Sequence, residues 1–415
     1  MLSVTRAIVL ALLVLLSPSA WAADLAVAKP EQVGLSSERL ARITELIRTD
    51  VEKGRFPGAV AVIARKGRIA YFEAAGFRDK TAGTPLRKDA IFRIYSMTKP
   101  FTSVAIMMLR DDGKLDLSDP VSKYLPQLGK LQVAVETKDA AGQSTVALEP
   151  SKGDMTIQDL LRHTSGLTYG VFGTGAVKKM YTEHGVDVLD HTNAELIDKL
   201  AKVPLMYQPG STWEYGRSTD VLGRIVEAIS GKTLSQFLDE RLFRPLKMVD
   251  TAFFVPNGKQ SRIAQALATD PDTQRPIKLF DVTAPPKFEG GGQAAVSTAI
   301  DYTRFSQMLA NRGRIDGVRL LSRKTVELMT ADHLGKLDGP APGYGFGLGF
   351  AVRRDAGVAN TSGSIGDYNW GGLAGTYFWI DPKEELVAVW MMQAPGQRVH
   401  YRQRFRTLVY QAIND

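Results

Sequence analysis

Cysteine is absent from this chain of 415 residues, and histidine is scarce, with five copies. Without thiols the chain can form no disulfide, thiol nucleophile or cysteine-ligated metal site. The histidines stand apart, at positions 163, 184, 191, 333 and 400, and none belongs to an H-E-x-x-H motif. That spacing excludes a zinc-protease site of the common helical kind. We therefore expect no metal and no cofactor.

Dense runs of charge are missing as well. The chain carries 52 Lys and Arg against 44 Asp and Glu, a formal net charge of +8. Proteins that bind nucleic acid concentrate their basic residues in patches, whereas here the charges are dispersed. We expect no nucleic-acid partner.

Only one long apolar run occurs, over residues 7–16, and it follows a positively charged residue, Arg6. Ala20-Trp21-Ala22 fits the small-x-small rule for a cleavage site. The run is too short for a good transmembrane span, and no cysteine follows it to carry a lipid. The sequence therefore predicts a signal peptide over residues 1–22, cleavage before Ala23, and a periplasmic or secreted bacterial protein without a stable membrane anchor. An uncleaved anchor is the alternative.

Apolar patterns in the N-terminal quarter predict two helices and a hairpin. Residues 35–52 have amphipathic spacing behind a serine cap, which is typical of a helix. Two β-type runs flank Lys66-Gly67, as in a hairpin. A second, strongly apolar helix is expected from Thr98 to about Asp112.

The same patterns favour an α+β architecture. Residues 119–287 are mostly helical pieces and loops, with an exposed insertion over 130–151 and a flexible Gly-rich stretch from Glu289. After Tyr344 three β-type runs precede a final helix over 403–413. We predict an antiparallel sheet built from residues 23–118 and 288–415, with a mainly helical domain, residues 119–287, inserted between them.

Ser96 and Lys99 form the only S-x-x-K of the chain and stand at the start of the apolar helix. Residues i and i+3 of a helix share a face, so the amine can reach the hydroxyl. The helix N-terminus adds free N–H groups and partial positive charge, which favour an alkoxide and an oxyanion. A lysine base near neutral pH needs a pKa lowered by roughly 3 units from 10.4. Burial among the neighbouring apolar side chains can supply that decrease.

Because one S-x-x-K is expected by chance in a chain of this length, two further motifs matter. Tyr215 lies just before a helix that is predicted over residues 218–231, in the phrase QPGSTWEYGRSTDVLGRIVEAISG. Trp370-Gly371-Gly372 leads into a predicted strand, where missing side chains allow a ligand to approach the backbone.

Taken in order, and with the phrase LLRHTSGL at residues 160–167, these motifs resemble those of the serine β-lactamase and penicillin-binding-protein superfamily. The resemblance is closest to its class C-like branch and, within that, to the family VIII carboxylesterases. It runs from about Gln32 to the C-terminus. It implies a β-lactamase-like fold and a serine hydrolase that needs no cofactor.

The resemblance also implies roles for individual residues. Ser96 matches the nucleophile, Lys99 the partner that activates it, and Tyr215 the tyrosine that relays the proton and later activates water. The backbone N–H groups of Ser96 and Leu373 match the oxyanion hole. Trp370-Gly371-Gly372 takes the place of the Lys-Thr-Gly strand motif, beside the bound substrate.

Two departures from the family pattern bear on the substrate. Tyr215-Gly216-Arg217 replaces Tyr-x-Asn, so the amide that contacts a β-lactam side chain is missing. Trp370 replaces the strand lysine that binds the β-lactam carboxylate. Both point away from an efficient β-lactamase and toward uncharged, apolar esters. Arg217 either meets an anion of the substrate or faces solvent.

The expected activity is cleavage of small-molecule carboxylic esters through an acyl-enzyme on Ser96. One alternative is a β-lactamase or a peptidase acting on D-amino-acid amides or cell-wall peptides. Another is a non-catalytic protein that binds cell-wall fragments. His163 is expected to be a structural hydrogen-bonding residue. The natural substrate, the choice between hydrolysis and acyl transfer, and the oligomeric state stay open.

Overall fold

The computed structural model describes residues 25–138 and 144–415, so the predicted signal peptide lies outside the described residues. The helices are α1 (Ser37–Glu52), α2 (Lys99–Asp111), α3 (Ile157–Leu161), α4 (Ala176–Glu183), α5 (Asn193–Leu200), α6 (Ser218–Ser230), α7 (Leu234–Leu238), α8 (Ala299–Ala310), α9 (Arg323–Met329) and α10 (Arg398–Tyr410). The strands are β1 (Gly58–Arg65), β2 (Arg68–Asp79), β3 (Thr84–Pro85), β4 (Phe92–Arg93), β5 (Gln132–Lys138), β6 (Ser144–Pro150), β7 (Val296–Ser297), β8 (Arg314–Ile315), β9 (Val318–Arg319), β10 (Tyr344–Phe346), β11 (Ala351–Arg353), β12 (Tyr368–Gly371), β13 (Tyr377–Asp381) and β14 (Leu386–Met392).

The main sheet has eight antiparallel strands in the order β10-β11-β12-β13-β14-β1-β2-β3. Its centre joins the two ends of the chain, because β1 pairs with β14 in a register that sets Val62 opposite Val389. The predicted antiparallel sheet built from both termini, with helices around it, is confirmed. The predicted hairpin is confirmed too, since Lys66 and Gly67 both have positive φ, 53° and 71°, as a tight primed turn requires.

Helices cover both faces of the sheet, which explains why β1 and β14 are buried along their whole length rather than at alternate residues. On one face α1 and α10 pack against Trp379 and Trp390. On the other, α2 and α8 pack against Phe378 and Val389. No helix within the described residues combines the length and apolar character needed to cross a membrane.

The helical segment shares its core with the sheet. The hydrophobic cluster under α2 continues into α3, α5, α6 and α7. The predicted insertion is a hairpin, β5–β6, whose first strand also bridges to Leu205. Residues 252–282 lie against β4 and β7 rather than among the helices, through bridges from Ala252 to Val296 and from Ile91 to Ile263.

Several helix boundaries differ from the sequence prediction by a few residues, and two of the differences have a clear cause. The final helix begins at Arg398, five residues before the predicted start, because a 3₁₀ turn at Pro395–Gln397 leads directly into it. The apolar helix begins at Lys99 and follows a separate 3₁₀ turn, Tyr95–Thr98. Ser96 therefore lies in a tight turn just ahead of the helix.

Candidate active site

Ser96 and Lys99 meet where the 3₁₀ turn passes into α2. Lys99 Nζ lies 3.4 Å from Ser96 Oγ, as the spacing of the two residues predicts. Tyr95 has a φ of 45°, a left-handed conformation that a non-glycine residue adopts only at a cost in free energy. Its hydroxyl accepts a hydrogen bond from the backbone N–H of Phe280, which holds this strained residue in place. Ser96, the expected nucleophile, is thus carried on a fixed turn.

Lys99 is buried, with 2% of its surface exposed, and its ammonium has further polar neighbours. It donates to the carbonyl oxygen of Gly292 at 2.9 Å and to the hydroxyl of Tyr169 at 3.1 Å. It also lies 4.6 Å from the ring centroid of Tyr215. The lysine therefore links the serine to two tyrosines and a glycine loop.

These surroundings keep Lys99 charged. Burial lowers the pKa of Lys99, but electrostatic interactions with Tyr169, Tyr215 and Asp220 outweigh burial, and the net pKa lies above its ordinary value. The expectation that burial brings this pKa down toward neutrality is therefore wrong. Neighbouring negative charge favours an ammonium by more than desolvation disfavours it.

Arg217 is buried and pairs with carboxylates of the protein. It is 2% exposed and donates to Asp187 at 3.0 Å and to Asp220 at 3.2 Å. Its guanidinium carbon lies 4.8 Å from the ring centroid of Tyr169. Burial excludes the solvent-facing alternative, and the anions that Arg217 meets belong to the protein itself, so the geometry does not support direct substrate binding. Arg217 instead packs against the ring of Tyr169.

The Gly-rich stretch, expected to be flexible, is buried and completes the lysine site. The N–H of Gly292 donates to Asp220 Oδ1 at 2.8 Å while its carbonyl accepts from Lys99. A Cβ on Gly292 would lie 3.1 Å from Lys99 Nζ, and one on Gly291 would lie 2.6 Å from Thr219 O. Only glycine lets the loop approach the lysine this closely, and sequence reasoning missed the role because the partners lie far apart in the chain.

Aromatic rings surround Tyr215. Its ring centroid lies 5.4 Å from that of Trp370, 5.5 Å from Tyr169 and 6.1 Å from Trp213, which is stacked on it. Tyr169 and Trp213 were not singled out from the sequence. Tyr169 follows the LLRHTSGL phrase by two residues, and Trp213 precedes Tyr215 by two residues. Closeness to a recognised motif was therefore the signal that could have identified both residues.

His163 packs into the same aromatic cluster. Its ring lies 5.0 Å from that of Tyr215 and 5.5 Å from that of Phe346. Burial and the charge of Lys99 hold the pKa of His163 well below its ordinary value, so the imidazole is neutral. Its Nδ1 has no partner among the described residues, whereas its backbone carbonyl accepts from the N–H of Glu214. The predicted hydrogen-bonding role therefore falls to the backbone, and the imidazole acts by packing.

The two glycines after Trp370 make room for groups of the protein. A Cβ on Gly371 would lie 2.4 Å from the guanidinium carbon of Arg402, and one on Gly372 would lie 2.2 Å from Ile94 O. Protein atoms therefore occupy the space of both missing side chains, and the approach of a ligand to this backbone stays a prediction. The close contact with Ile94 brings the Gly372–Leu373 peptide beside the turn that carries Ser96, and Thr376 Oγ1 fixes it by donating to Ile94 O at 3.2 Å.

Two backbone donors are left available at this junction. Neither the N–H of Ser96 nor that of Leu373 donates a hydrogen bond within residues 25–138 and 144–415. Orphan N–H groups beside a nucleophile are the donors that an oxyanion hole requires. Leu373 is 37% exposed, so solvent and small molecules reach this edge of the site.

An apolar groove of about 370 Å³ borders the turn and the glycine loop. Its lining includes Leu189, Phe253, Phe280, Val282, Phe288 and Gln293. The Phe280 ring packs on Tyr95 with centroids 4.5 Å apart, and Gln293 directly follows Gly292. The groove therefore adjoins the residues on either side of the Ser96–Lys99 pair.

Comparisons with known proteins agree with this geometry. Protein Rv1367c of Mycobacterium tuberculosis is 36% identical over 84% of this chain and 88% of its own length. Esterase EstB of Burkholderia gladioli is 30% identical over 82% of this chain and 87% of its own length. The solved structure of EstCE1, described as a hydrolase with promiscuous acyltransferase activity, superposes with a TM-score of 0.72 at 26% identity, over 90% of this chain and 99% of EstCE1.

The similarity extends beyond single relatives. Residues 43–411 match the family described as Beta-lactamase, which covers most of the chain and all the site residues above. The fold and relatives are those of the serine β-lactamase and penicillin-binding-protein superfamily, whose members include esterases and acyltransferases. On this match the chain belongs to the Beta-lactamase family.

Proposed function

We propose that the protein is a serine carboxylesterase that cleaves apolar esters through an acyl-enzyme on Ser96. One observation carries the proposal: Ser96 Oγ lies 3.4 Å from a buried ammonium, beside two backbone N–H groups that have no partner among the described residues. A nucleophile, a fixed positive charge and an oxyanion hole are together what acyl transfer to serine needs.

Acylation begins when Ser96 Oγ attacks the ester carbonyl and its proton passes to the oxygen of Tyr215, which must enter this step as a phenolate because a neutral tyrosine already carries its proton. The Lys99 ammonium, 4.6 Å from the Tyr215 ring centroid, stabilises that phenolate. Lys99, which already carries its proton, stabilises the negative charge that develops on the serine oxygen. The carbonyl oxygen becomes an oxyanion that accepts hydrogen bonds from the N–H groups of Ser96 and Leu373. Collapse of the tetrahedral intermediate breaks the ester C–O bond, and Tyr215 returns the proton to the leaving alcohol.

Deacylation repeats these steps with water in place of serine. Tyr215 accepts a proton from the water, the resulting hydroxide attacks the acyl carbonyl, and the proton returns to Ser96 Oγ as the acid leaves. An alcohol in place of water would give a new ester, and EstCE1 carries out acyl transfer besides hydrolysis. Adding methanol to the assay and measuring methyl ester alongside free acid determines how the acyl-enzyme partitions in this protein.

The walls of the site favour an uncharged acyl group. Trp370 presents an indole where a lysine would bind a carboxylate, and its neighbours Tyr215 and Phe346 are aromatic as well. The groove lined by Phe280 and Phe288 provides apolar surface beside Tyr95, the residue that precedes Ser96. Esters with apolar acyl chains therefore bury the most surface on binding, and burial of apolar surface stabilises binding by roughly 25 cal/mol per Å².

The test combines activity with covalent labelling. Wild-type protein should hydrolyse p-nitrophenyl butyrate and react with a fluorophosphonate probe at Ser96. Ser96→Ala should lose both, whereas Ser103→Ala, a matched control on the same buried helix, should keep both. Retention of a tenth of the activity by Ser96→Ala would refute the mechanism. An unlabelled, inactive wild type would favour a binding protein instead.

A further inference from the structure

Arg402 is a partly buried cation next to the proposed oxyanion hole. It stands in the first half of α10, and its guanidinium lies against the backbone of Gly371 in β12. Burial lowers the pKa of Arg402 to about 10, so the side chain stays charged at neutral pH. The charge therefore needs an explanation, because no mechanism step above uses it.

The hydrogen bonds of Arg402 all go to one stretch of backbone. Nη2 donates to the carbonyl of Gly372 at 2.5 Å and to that of Thr376 at 3.3 Å, and Nε has no partner. No carboxylate pairs with Arg402 in the part of the chain that the structure describes. Arg406, one turn further along the helix, shows the ordinary arrangement, because it pairs with Asp367.

The carbonyl that Arg402 binds belongs to the same peptide group as the N–H of Leu373. A peptide is planar, so a strong hydrogen bond at its oxygen also fixes the direction of its N–H. Electron density drawn toward the oxygen makes the N–H more positive, as in a chain of cooperative hydrogen bonds. Arg402 can therefore orient and strengthen the donor that would face the oxyanion.

We propose that Arg402 is a positioning residue of the oxyanion hole, which holds the Gly372–Leu373 peptide and polarises its N–H toward the tetrahedral intermediate. This inference rests on the proposed function. Gly371 is part of the same arrangement, because any side chain at this position would displace the guanidinium of Arg402.

The first experiment separates transition-state stabilisation from substrate binding. Arg402→Gln should lower kcat for p-nitrophenyl butyrate by about 10- to 100-fold, the range of a charge-assisted hydrogen bond, with KM within about twofold of wild type. Arg402→Lys should recover only part of the loss, since a lysine cannot reproduce the fork geometry. Arg404→Gln, which removes an exposed charge from the same helix, is the matched control and should behave as wild type.

A second experiment reads the oxyanion directly and does not depend on turnover. A trifluoromethyl ketone forms a hemiketal oxyanion with the serine, so its inhibition constant should rise in Arg402→Gln by about the same factor as kcat falls. Gly371→Ala should lose a similar factor, and the double variant should lose little more than either single one. Methylguanidine added to Arg402→Gly should restore part of kcat, which would not happen if the residue merely stabilised the fold.

Three outcomes would overturn the proposal. One is a kcat for folded Arg402→Gln within threefold of wild type. Another is unchanged ketone affinity alongside lower activity. The third is a rise in KM confined to esters that carry a carboxylate, which would make Arg402 a substrate-binding residue facing the adjacent groove of about 320 Å³. Fluorophosphonate labelling of Ser96 in wild type separates these outcomes from failure of the esterase proposal itself.

Discussion

At the scale of single residues, the proposed mechanism depends on the charge of Lys99. The ammonium contacts the serine oxygen and lies over the ring of Tyr215, so the three groups form one unit. When catalytic groups act as a unit, removing one of them costs about as much activity as removing several, so the losses are not additive.

Lys99→Ala and Tyr215→Phe should each lower kcat/KM for p-nitrophenyl butyrate by roughly a thousandfold or more, and the double variant should be little worse. The lysine change removes the charge that stabilises the alkoxide, and the tyrosine change removes the proton acceptor. Steady-state kinetics on the three variants give the comparison. Multiplied losses in the double variant would show that the two groups act independently.

We expect Trp370 to be the residue that favours esters over β-lactams. Wild type should show a lower kcat/KM for nitrocefin than for p-nitrophenyl butyrate, because Trp370 takes the place of the strand lysine that binds the β-lactam carboxylate in the family. Trp370→Lys should raise the nitrocefin-to-ester ratio by about 10- to 100-fold, the range expected for one charge-assisted hydrogen bond. Trp379→Phe, a change in the neighbouring core strand β13, is the control for a general loss of packing in the sheet. A wild-type nitrocefin value above the ester value would favour the β-lactamase alternative.

At the scale of elements, strand β12 is held by one buried carboxylate. Asp367, just before the strand, pairs with Arg353 of β11 and Arg406 of α10, and all three side chains are almost fully buried. The position of Trp370 and of the Leu373 N–H thus depends on this triad.

Asp367→Ala should destabilise the protein by about 3–5 kcal/mol, because it leaves two buried cations without a counter-ion. Asp338→Ala removes an exposed carboxylate and should cost under about 0.5 kcal/mol. Urea unfolding followed by fluorescence measures both. Equal stability of the two variants would mean that the arginines find other partners.

Helix α8 carries a carboxyl group that titrates in the weakly acidic range. Burial raises the pKa of Asp301 to about 6, although the N–H of Asp250 and the hydroxyl of Thr251 partly offset the effect. Between the ordinary pKa of 3.8 and 6, the folded state binds more protons than the unfolded state. Stability from this group is therefore full below about pH 4 and falls as pH rises to about 6.

The loss should reach about 3 kcal/mol across that window, since each unit of pKa shift corresponds to roughly 1.4 kcal/mol. Asp301→Asn should remove this contribution while keeping an acceptor for the N–H of Asp250. Unfolding free energies at pH 4, 5, 6 and 7 for both proteins give the difference curve. A curve that is flat, or that rises with pH, would contradict the assignment.

Local sequence patterns predicted the elements that carry Ser96, Lys99 and Tyr215. They did not reveal contacts between residues that are far apart in the chain. Three-residue spacing sufficed to bring Lys99 to Ser96. The sign of the Lys99 pKa shift was not readable, because the groups that set it come from positions 70 to 121 residues away. The carbonyl of Gly292 lies further still, 193 residues along the chain.

At the scale of the whole molecule, sheet and helical segment share one hydrophobic cluster. Ser96 and Trp370 come from the sheet portions and Tyr215 from the helical portion, so the site forms only where the two meet. We expect a single unfolding transition in guanidinium chloride, with tryptophan fluorescence and ester hydrolysis lost at the same midpoint. Separate midpoints would show that the two portions unfold independently.

The pairing of β1 with β14 also determines how late in synthesis the central sheet can form. The serine turn leaves the ribosome 274 residues before Trp370, a delay of roughly 15 to 55 s at about 5–20 residues per second. During that interval β1 lacks its neighbour β14, and the edge of the early hairpin stays unpaired. A nascent chain stalled before β12 should therefore carry Ser96 yet hydrolyse no ester, because the strand that positions Trp370 and the Leu373 N–H has not been made.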